Sequence, residues 1–210
     1  MESLTETRQA FLEEMLNISF GRAAASLAER LNVFVTLDVP NAHEIEQTQI
    51  SSLLEQRVGL EQDIIVVQQV FSGDFKGEVL LVVGADLVKQ AVSIMSQEGG
   101  FAPNLPVAEL ETEVILEIGN ILIGACMGQF SGLLSKSVRY ETPDVLLDKA
   151  SIDNLHYTNQ HTDKKALIVM TKFHLGEKAL SGYLFILLDQ RWFDAMYVAV
   201  DQFIEQLAAE

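Results

Sequence analysis

The sequence predicts one α/β domain, residues 1–210, built from two copies of one unit with pseudo-twofold symmetry. A Glu-x-x-Asn motif occurs twice, 103 residues apart, and each copy is followed 23 positions after the Asn by a proline. The motif residues are Glu14, Asn17, Glu117 and Asn120, and the prolines are Pro40 and Pro143. Helix, strand and hairpin patterns also recur in the same order, so internal repeats of about 1–100 and 101–210 are expected.

The first copy begins with a long helix. Ser3 and Glu6 have the spacing of a capping box, apolar residues keep helical spacing to about Leu31, and Asn32 is a plausible left-handed stop. A β-rich stretch follows at Val33–Val39, since β-branched residues are enriched there. Residues 45–57 are polar and are expected to contain a short helix.

A hairpin and a helix complete the first copy. The hairpin strands are predicted at 63–71 and 77–83, with turn chemistry at Ser72–Asp74. The helix is predicted at 86–97 and ends at Gly99. Residues 101–106 hold two of the four prolines and are the best candidate for a linker.

The second copy repeats this order. The predicted elements are a long helix at 107–134, a strand at 137–142, a polar loop at 153–163, hairpin strands at 166–174 and 181–188, and a closing helix at 191–206. Either copy alone would expose the apolar faces of its helix and strands. Pairing the copies around one sheet would bury those faces, which favours one domain over two.

Composition excludes several classes of function. The net charge of −16 argues against nucleic acid and anionic membranes as partners, because both need a basic face. No uninterrupted apolar run reaches the 18 residues of a membrane span, and the acidic start is unlike a signal peptide. The single cysteine, Cys126, is expected to be a small buried hydrophobe. A cytoplasmic protein is the simplest expectation.

Familiar catalytic machinery is missing from the sequence. There is no phosphate-binding glycine loop, no nucleophile elbow and no zinc-ligand spacing among the histidines, which are His43, His156, His161 and His174. Asp63, Asp74 and Asp86 are scattered at strand and turn ends and are interpreted as turn formers. None of these patterns indicates a metal or cofactor site.

The duplicated Glu/Asn pair is the remaining candidate site. Residues three apart on a helix share one face, so the Cβ atoms of the Glu and the Asn in each pair lie about 5–6 Å apart. An amide can orient a water molecule, as Gln does in small GTPases, and a carboxylate can pair with a cation of a partner. The pattern therefore fits hydrolysis of a phosphoryl group. A surface pair without function is the alternative, and duplication favours the functional interpretation.

These motifs resemble the CheC/CheX/FliY family of chemotaxis phosphatases. The run from Glu117 to Gly124 is especially similar to the second motif helix of that family, and the resemblance extends to the hairpin glycines Gly77 and Gly182. Two motif copies in one chain look more like CheC than CheX. The resemblance implies an α/β sandwich with two long helices packed on a mainly antiparallel sheet.

The resemblance also implies a function and partners. The family removes the phosphate from the phospho-aspartate of the response regulator CheY. Asn17 and Asn120 would orient the attacking water, and Glu14 and Glu117 would engage a lysine of the regulator. The magnesium ion would belong to the regulator. A CheD-like deamidase or a flagellar switch protein would be a possible further partner.

Two departures from the family pattern bear on activity. Ala10 and Glu113 stand where the family has Asp or Ser, and Met15-Leu16 replaces the usual Ile-Gly. A larger Leu16 beside Asn17 suggests an impaired first site, while Glu113 suggests repulsion of phosphate at the second. Two alternatives therefore remain: a non-catalytic adaptor that binds a receiver domain or switch component, and a structural repeat protein with incidental polar pairs.

Overall fold

The computed structural model describes residues 5–32, 34–49, 52–53, 56–57, 64–74, 76–97, 106–133, 135–146, 165–175 and 180–209. Within these ranges the four helices are α1 (Glu6–Leu31), α2 (Ala85–Gln97), α3 (Val107–Leu133) and α4 (Gln190–Ala209). The first four strands are β1 (Val35–Leu37), β2 (Asn41–Glu46), β3 (Ile64–Gly73) and β4 (Gly77–Gly84). The other four are β5 (Val138–Tyr140), β6 (Asp144–Leu146), β7 (Lys165–Leu175) and β8 (Leu180–Asp189).

All eight strands form one antiparallel sheet in the order β1-β7-β8-β4-β3-β5, with β2 also paired to β7 and β6 to β3. The counterparts in the two halves are β1 and β5, β2 and β6, β3 and β7, and β4 and β8. Exchanging every strand for its counterpart gives the same order read backwards. The predicted fold class, helices on a mainly antiparallel sheet, is confirmed. The order is also the one that a duplicated unit would produce, while the division into repeats 1–100 and 101–210 stays a prediction.

Strand register has the same symmetry. Leu80 of β4 lies directly opposite Phe185 of β8, and these are matched positions of the two hairpins. Likewise, Val35 of β1 lies opposite Leu175 of β7, and the matched residue Val138 of β5 lies opposite Gly73 of β3. A twofold axis perpendicular to the sheet therefore passes between Leu80 and Phe185. Such an axis reverses any direction in the plane of the sheet, so α1 and α3 run antiparallel where they pack on it.

The sheet buries both of its faces. One face carries the main core, to which all four helices contribute buried side chains such as Leu27, Leu87, Ile118 and Met196. The other face carries a smaller cluster that includes Leu80 and Phe185. Because the helices share a single face, the two motif helices α1 and α3 lie side by side and pack extensively against each other.

Helix α1 begins and ends with defined caps. Thr5, rather than Ser3, is the N-cap, and its side chain accepts a hydrogen bond from the backbone N–H of Arg8. The capping-box prediction was therefore wrong, since a hydroxyl directly before Glu6 satisfies the first free N–H groups. Asn32 adopts the left-handed conformation, with φ 49°, and donates its N–H to the carbonyl of Ala28. The predicted stop is confirmed.

Two strands were not predicted from the sequence. Residues 41–46 form β2 where no strand was assigned, and residues 144–146 form β6. Both are short, and β2 is largely polar, so tertiary pairing with β7 and β3 creates them. A 3₁₀ turn, Gln47–Gln49, lies in the segment for which a short helix was expected, and the described residues 52–53 and 56–57 of that segment are helical. The predicted loop at 153–163 and all of the predicted linker except Pro106 lie outside the described residues.

Helix α3 is a core helix despite its composition. Among the described residues, one segment, Val107–Gly132, is long and apolar enough to cross a membrane. The sequence expectation counted only uninterrupted apolar runs and therefore did not identify this segment. However, 56% of its apolar window is buried within the protein. Packing against α1, α2 and the sheet accounts for that apolarity without a membrane.

In each hairpin, a glycine at a matched position leaves room for the ring of a phenylalanine. A Cβ at Gly182 would collide with the ring of Phe173, and a Cβ at Gly77 would collide with the ring of Phe71 and the carbonyl of Leu187. Both phenylalanines are fully buried. The missing side chain is therefore what lets each ring lie over the neighbouring strand.

We expect Gly182→Ala to destabilise the protein by roughly 2–3 kcal/mol, because the added methyl group overpacks a fixed core. Gly128→Ala is the control, since nothing lies within 4 Å of its Cβ position on the outside of α3. That substitution should stabilise the helix by about 0.5–1 kcal/mol. Urea denaturation measures both changes, and equal stability of the two variants would contradict the packing argument.

The start of α1 is anchored to α4. Arg8 makes a forked pair with Asp201, with Nε to Oδ1 at 2.9 Å, and its guanidinium also lies 5.2 Å from the centre of the Tyr197 ring. The buried Tyr197 donates its hydroxyl to Glu44 of β2 at 2.7 Å. Phe11 packs on Phe203 with ring centroids 5.5 Å apart. These contacts hold α1 in place one turn before the first motif.

The hydrogen bond from Arg8 also lowers the pKa of Asp201.

We expect Asp201→Asn to lower the free energy of unfolding by about 1 kcal/mol or less at pH 7, because the carboxylate is 40% exposed. A lowered pKa means that the pair stabilises the protein above the unfolded pKa of about 3.9 and that this stabilisation is lost as pH falls through the folded value. Urea denaturation at pH 7 and below pH 3 measures the difference, which should vanish in acid. Glu205→Gln, at an exposed position one turn later, should change little at either pH.

Candidate functional site

Each candidate pair lies within a continuous helix. Glu14 and Asn17 occupy the first half of α1, and Glu117 and Asn120 occupy the middle of α3. Glu14, Asn17 and Asn120 are exposed and Glu117 is half-buried, so all four side chains reach solvent. A macromolecular partner has access to both pairs, as a site that acts on another protein requires.

Leu16 does not crowd the first pair. Its side chain is fully buried in the main core, because residues 16 and 17 point about 100° apart on the helix. Leu16 therefore does not obstruct Asn17 directly, and whether the first site is impaired stays a prediction. The matched residue, Gly119, is buried against the sheet, where a Cβ would lie 3.2 Å from Cγ1 of Val67. This sequence difference changes helix-to-sheet packing rather than the exposed polar surface.

The motif prolines follow loops that are held in the same way in both halves. Asp38 donates its N–H to Lys172 at 2.8 Å and accepts at its carbonyl from the Thr171 hydroxyl at 2.7 Å. Glu141 donates its N–H to Val70 at 2.9 Å and accepts from the Gln69 amide at 3.1 Å. Each loop is thus fixed two residues before its proline.

The first half has additional links around its proline loop. Glu13 accepts at Oε1 from the N–H of Ala42 and from the amide of Gln9, both within 3.1 Å, and so ties β2 to α1 beside Glu14. His174 lies 3.3 Å from a carboxylate oxygen of Asp38. The second half has Leu116 at the position of Glu13, so this link belongs to the first half alone.

Sequence reasoning missed Glu13, Thr171 and Gln69 as residues that support the site. Thr171 and Gln69 donate to loop carbonyls and Glu13 accepts from a backbone N–H of β2, and no local pattern indicates such pairing. A carboxylate beside the motif at position 13 was the one available signal, because its counterpart at 116 is apolar.

The two pairs are well separated. Arg22 donates from Nη1 to Oε1 of Gln129 at 2.6 Å, which fixes where α1 and α3 face each other. Asn17 precedes Arg22 by five residues and Asn120 precedes Gln129 by nine, in opposite directions along antiparallel helices. At 1.5 Å per residue, the two asparagines lie roughly 20 Å apart along the helices. The pairs therefore form two sites rather than one.

The cysteine and the histidines considered in the sequence analysis do not join the candidate pairs in the described residues. Cys126 is fully buried, as predicted, and burial raises its pKa well above the usual value, which makes the thiol unreactive. His43 is exposed on β2, and His156 and His161 lie outside the described residues. Within the described ranges, no group of three or more His, Cys, Asp or Glu side chains is placed to hold a metal ion.

Each pair can position other groups, such as a water molecule or a cation, rather than react itself. A carboxamide can accept from a water molecule through its oxygen while its N–H₂ group donates to an anionic oxygen. A carboxylate one turn away can accept from a cationic donor. Neither residue is an activated nucleophile, so the reacting phosphoryl group and its leaving group would come from the partner.

No protein-family model matches the sequence. Two curated proteins of Bacillus subtilis (strain 168) are similar to it. CheY-P phosphatase CheC is 22% identical over 202 residues, which cover 94% of this chain and 95% of CheC. Flagellar motor switch phosphatase FliY is 25% identical over 149 residues, 70% of this chain, and the match spans only 38% of FliY.

Solved structures share the fold. The crystal structure of Thermotoga maritima FliY has a TM-score of 0.73 and 19% identity, covering 96% of this chain and 99% of that one. The FliM middle domain of Vibrio alginolyticus has a TM-score of 0.61 and 13% identity, covering 90% and 99%. The chain is therefore similar in sequence to CheC and FliY, and it shares the fold of the FliY structure.

Proposed function

We propose that this protein is a phosphatase that hydrolyses the aspartyl phosphate of a CheY-type response regulator in chemotaxis signalling. The observation that carries the proposal is the duplicated Glu/Asn pair, which reaches solvent on both long helices. The two curated relatives are both named as phosphatases, one of them for CheY-P. A cytoplasmic location follows from such a partner.

The proposed reaction needs little chemistry from this chain. The side-chain amide of Asn17 or Asn120 aligns a water molecule with the phosphorus. The water oxygen bonds to phosphorus, the bond from phosphorus to the aspartyl oxygen breaks, and the regulator's carboxylate leaves. The proton of the water ends on inorganic phosphate. In phosphoryl transfer of this kind, catalysis is almost entirely positioning and charge stabilisation.

The remaining charges are assigned to the partner. Glu14 and Glu117 would pair with a cationic side chain of the regulator, and a magnesium ion held by the regulator would neutralise the phosphoryl oxygens. We propose no dissociable cofactor for this protein itself. A flagellar switch protein or a CheD-like deamidase would be a further partner.

A non-catalytic adaptor is the second candidate function. The fold also belongs to FliM, which is not named as a phosphatase, so the fold by itself does not establish turnover. In this case the same surface would bind a receiver domain or a switch component and release no phosphate.

We expect the double variant Asn17→Ala, Asn120→Ala to lower phosphate release from a phosphorylated CheY receiver by roughly 10²-fold, because the attacking water is no longer positioned. Binding of the receiver should change little, since an amide contributes a small share of an interface. Phosphate release in the presence of Mg²⁺ and calorimetric binding separate the two effects. Gln202→Ala, which removes an exposed amide from α4, is the control.

Two results would decide between the candidates. Full activity of the double variant would exclude the proposed mechanism. Binding of the phosphorylated receiver by the wild-type protein, with no phosphate release above that of the receiver alone, would favour the adaptor.

We expect the pair of substitutions Glu14→Gln and Glu117→Gln to weaken receiver binding by about three- to tenfold as well as to lower the rate, because each removes a charge that the partner's cation would meet. The loss should shrink as ionic strength rises, since salt screens exposed charges. Binding titrations at low and high salt measure this. Equal affinity of variant and wild type at low salt would show that the carboxylates do not engage a cation.

A further inference from the structure

The two Glu/Asn pairs differ in accessibility. Three matched positions define the face of each helix around the asparagine. Glu14, Ile18 and Gly21 are exposed on α1, whereas Glu117, Ile121 and Gly124 are half-buried on α3. Ile18 keeps 42% of its surface, which is unusual for a large aliphatic side chain.

Glu117 is also engaged within the protein. It takes part in a hydrogen bond, an ion pair or an electrostatic interaction within the chain, so a partner's cation would meet a carboxylate that is already engaged. At the first pair, the neighbouring carboxylate of Glu13 accepts hydrogen bonds from the N–H of Ala42 and the amide of Gln9, not from the motif residues.

The charge beside each asparagine differs as well. Glu113 lies seven residues before Asn120, two helical turns along the same face, and it is exposed. The matched residue before Asn17 is Ala10, also exposed and uncharged. The first site has its own additional carboxylate, Glu13, but Glu13 is half-buried and accepts hydrogen bonds from Ala42 and Gln9. At 1.5 Å per residue, the Glu113 carboxylate is on the order of 10 Å from the second site along the helix.

We propose that the two sites are unequal: Glu14 and Asn17 carry most of the turnover, and Glu113 suppresses the second site by repelling the anionic phosphoryl group. This inference rests on the proposed function and adds a residue that sets the activity of one site. It reverses the ranking that the sequence alone suggested, because Leu16 lies in the core and leaves Asn17 unobstructed.

The repulsion has a predictable size. A unit negative charge about 10 Å from a phosphoryl dianion, at the dielectric constant of water that applies to exposed groups, slows the reaction by roughly three- to tenfold. The distance is close to the screening length at physiological ionic strength, so the effect falls as salt rises. Suppression by Glu113 therefore differs from a packing defect, which salt would not relieve.

The first test removes one site at a time. Phosphate release is measured with a CheY receiver phosphorylated by acetyl phosphate. We expect Asn17→Ala to lose about fivefold or more and Asn120→Ala to lose less than about twofold, since the remaining site supplies the residual rate. A larger loss in Asn120→Ala would overturn the inference.

The second test exchanges the residues that differ. In the Asn17→Ala background, where only the second site acts, Glu113→Ala should raise the rate by about three- to tenfold at low salt and less at high salt. In the Asn120→Ala background, Ala10→Glu should lower the rate by a similar factor. No change in either exchange would show that Glu113 does not suppress the site.

Failure of this inference is distinguishable from failure of the proposed function. Full activity of the double asparagine variant defeats the function, whereas a dominant second site defeats only the inequality. Residues 10 and 113 are both exposed helix positions, so the exchanged variants should fold, and their urea midpoints verify this. Val198→Ser, at an aliphatic position on α4 that is 50% exposed, is the control and should leave the rate unchanged.

Discussion

The pairing of β4 with β8 is the interaction on which the rest of the structure depends. It joins the two halves and sets Leu80 opposite Phe185, so that the twofold axis passes between them. Both motif helices lie on one face of the sheet, and the axis makes them antiparallel. The two asparagines are therefore on one side of the molecule yet roughly 20 Å apart along the helices. A single phosphoryl group can meet only one of them at a time.

The two halves keep the same geometry with different side chains. The Thr171 hydroxyl and the Gln69 amide both donate to the carbonyl of the residue two before a motif proline. What is retained is the hydrogen bond to the backbone carbonyl, which fixes the loop before each proline. The phenylalanine and glycine of each hairpin are retained as residues, because only a glycine leaves room for the ring. Exposed positions such as 10 and 113 are free of both constraints and have diverged.

Sequence patterns predicted the long helices and the hairpins, because each depends on local periodicity. The ends of α1 show the limit: Asn32 was recognisable as a left-handed stop, while the N-cap fell on Thr5 instead of Ser3. Strands β2 and β6 were not predicted, because their partners β7 and β3 lie far away in the chain. At the site, the motif residues were proposed from repetition alone, and their role stays a prediction. The supporting contact of Glu13 with Ala42 was not, since it joins a helix to the start of a strand 29 residues away.

Leu16 and Gly119 are matched positions that pack differently against the sheet. Gly119 has no side chain where α3 meets Val67, so the helix can approach the sheet closely. Leu16 fills the matched place under α1 and is fully buried there. The outer faces of the two helices differ as well, because Glu14, Ile18 and Gly21 are exposed where Glu117, Ile121 and Gly124 are half-buried. The proposed inequality of the two sites therefore depends on the exposed faces and not on contact between Leu16 and Asn17.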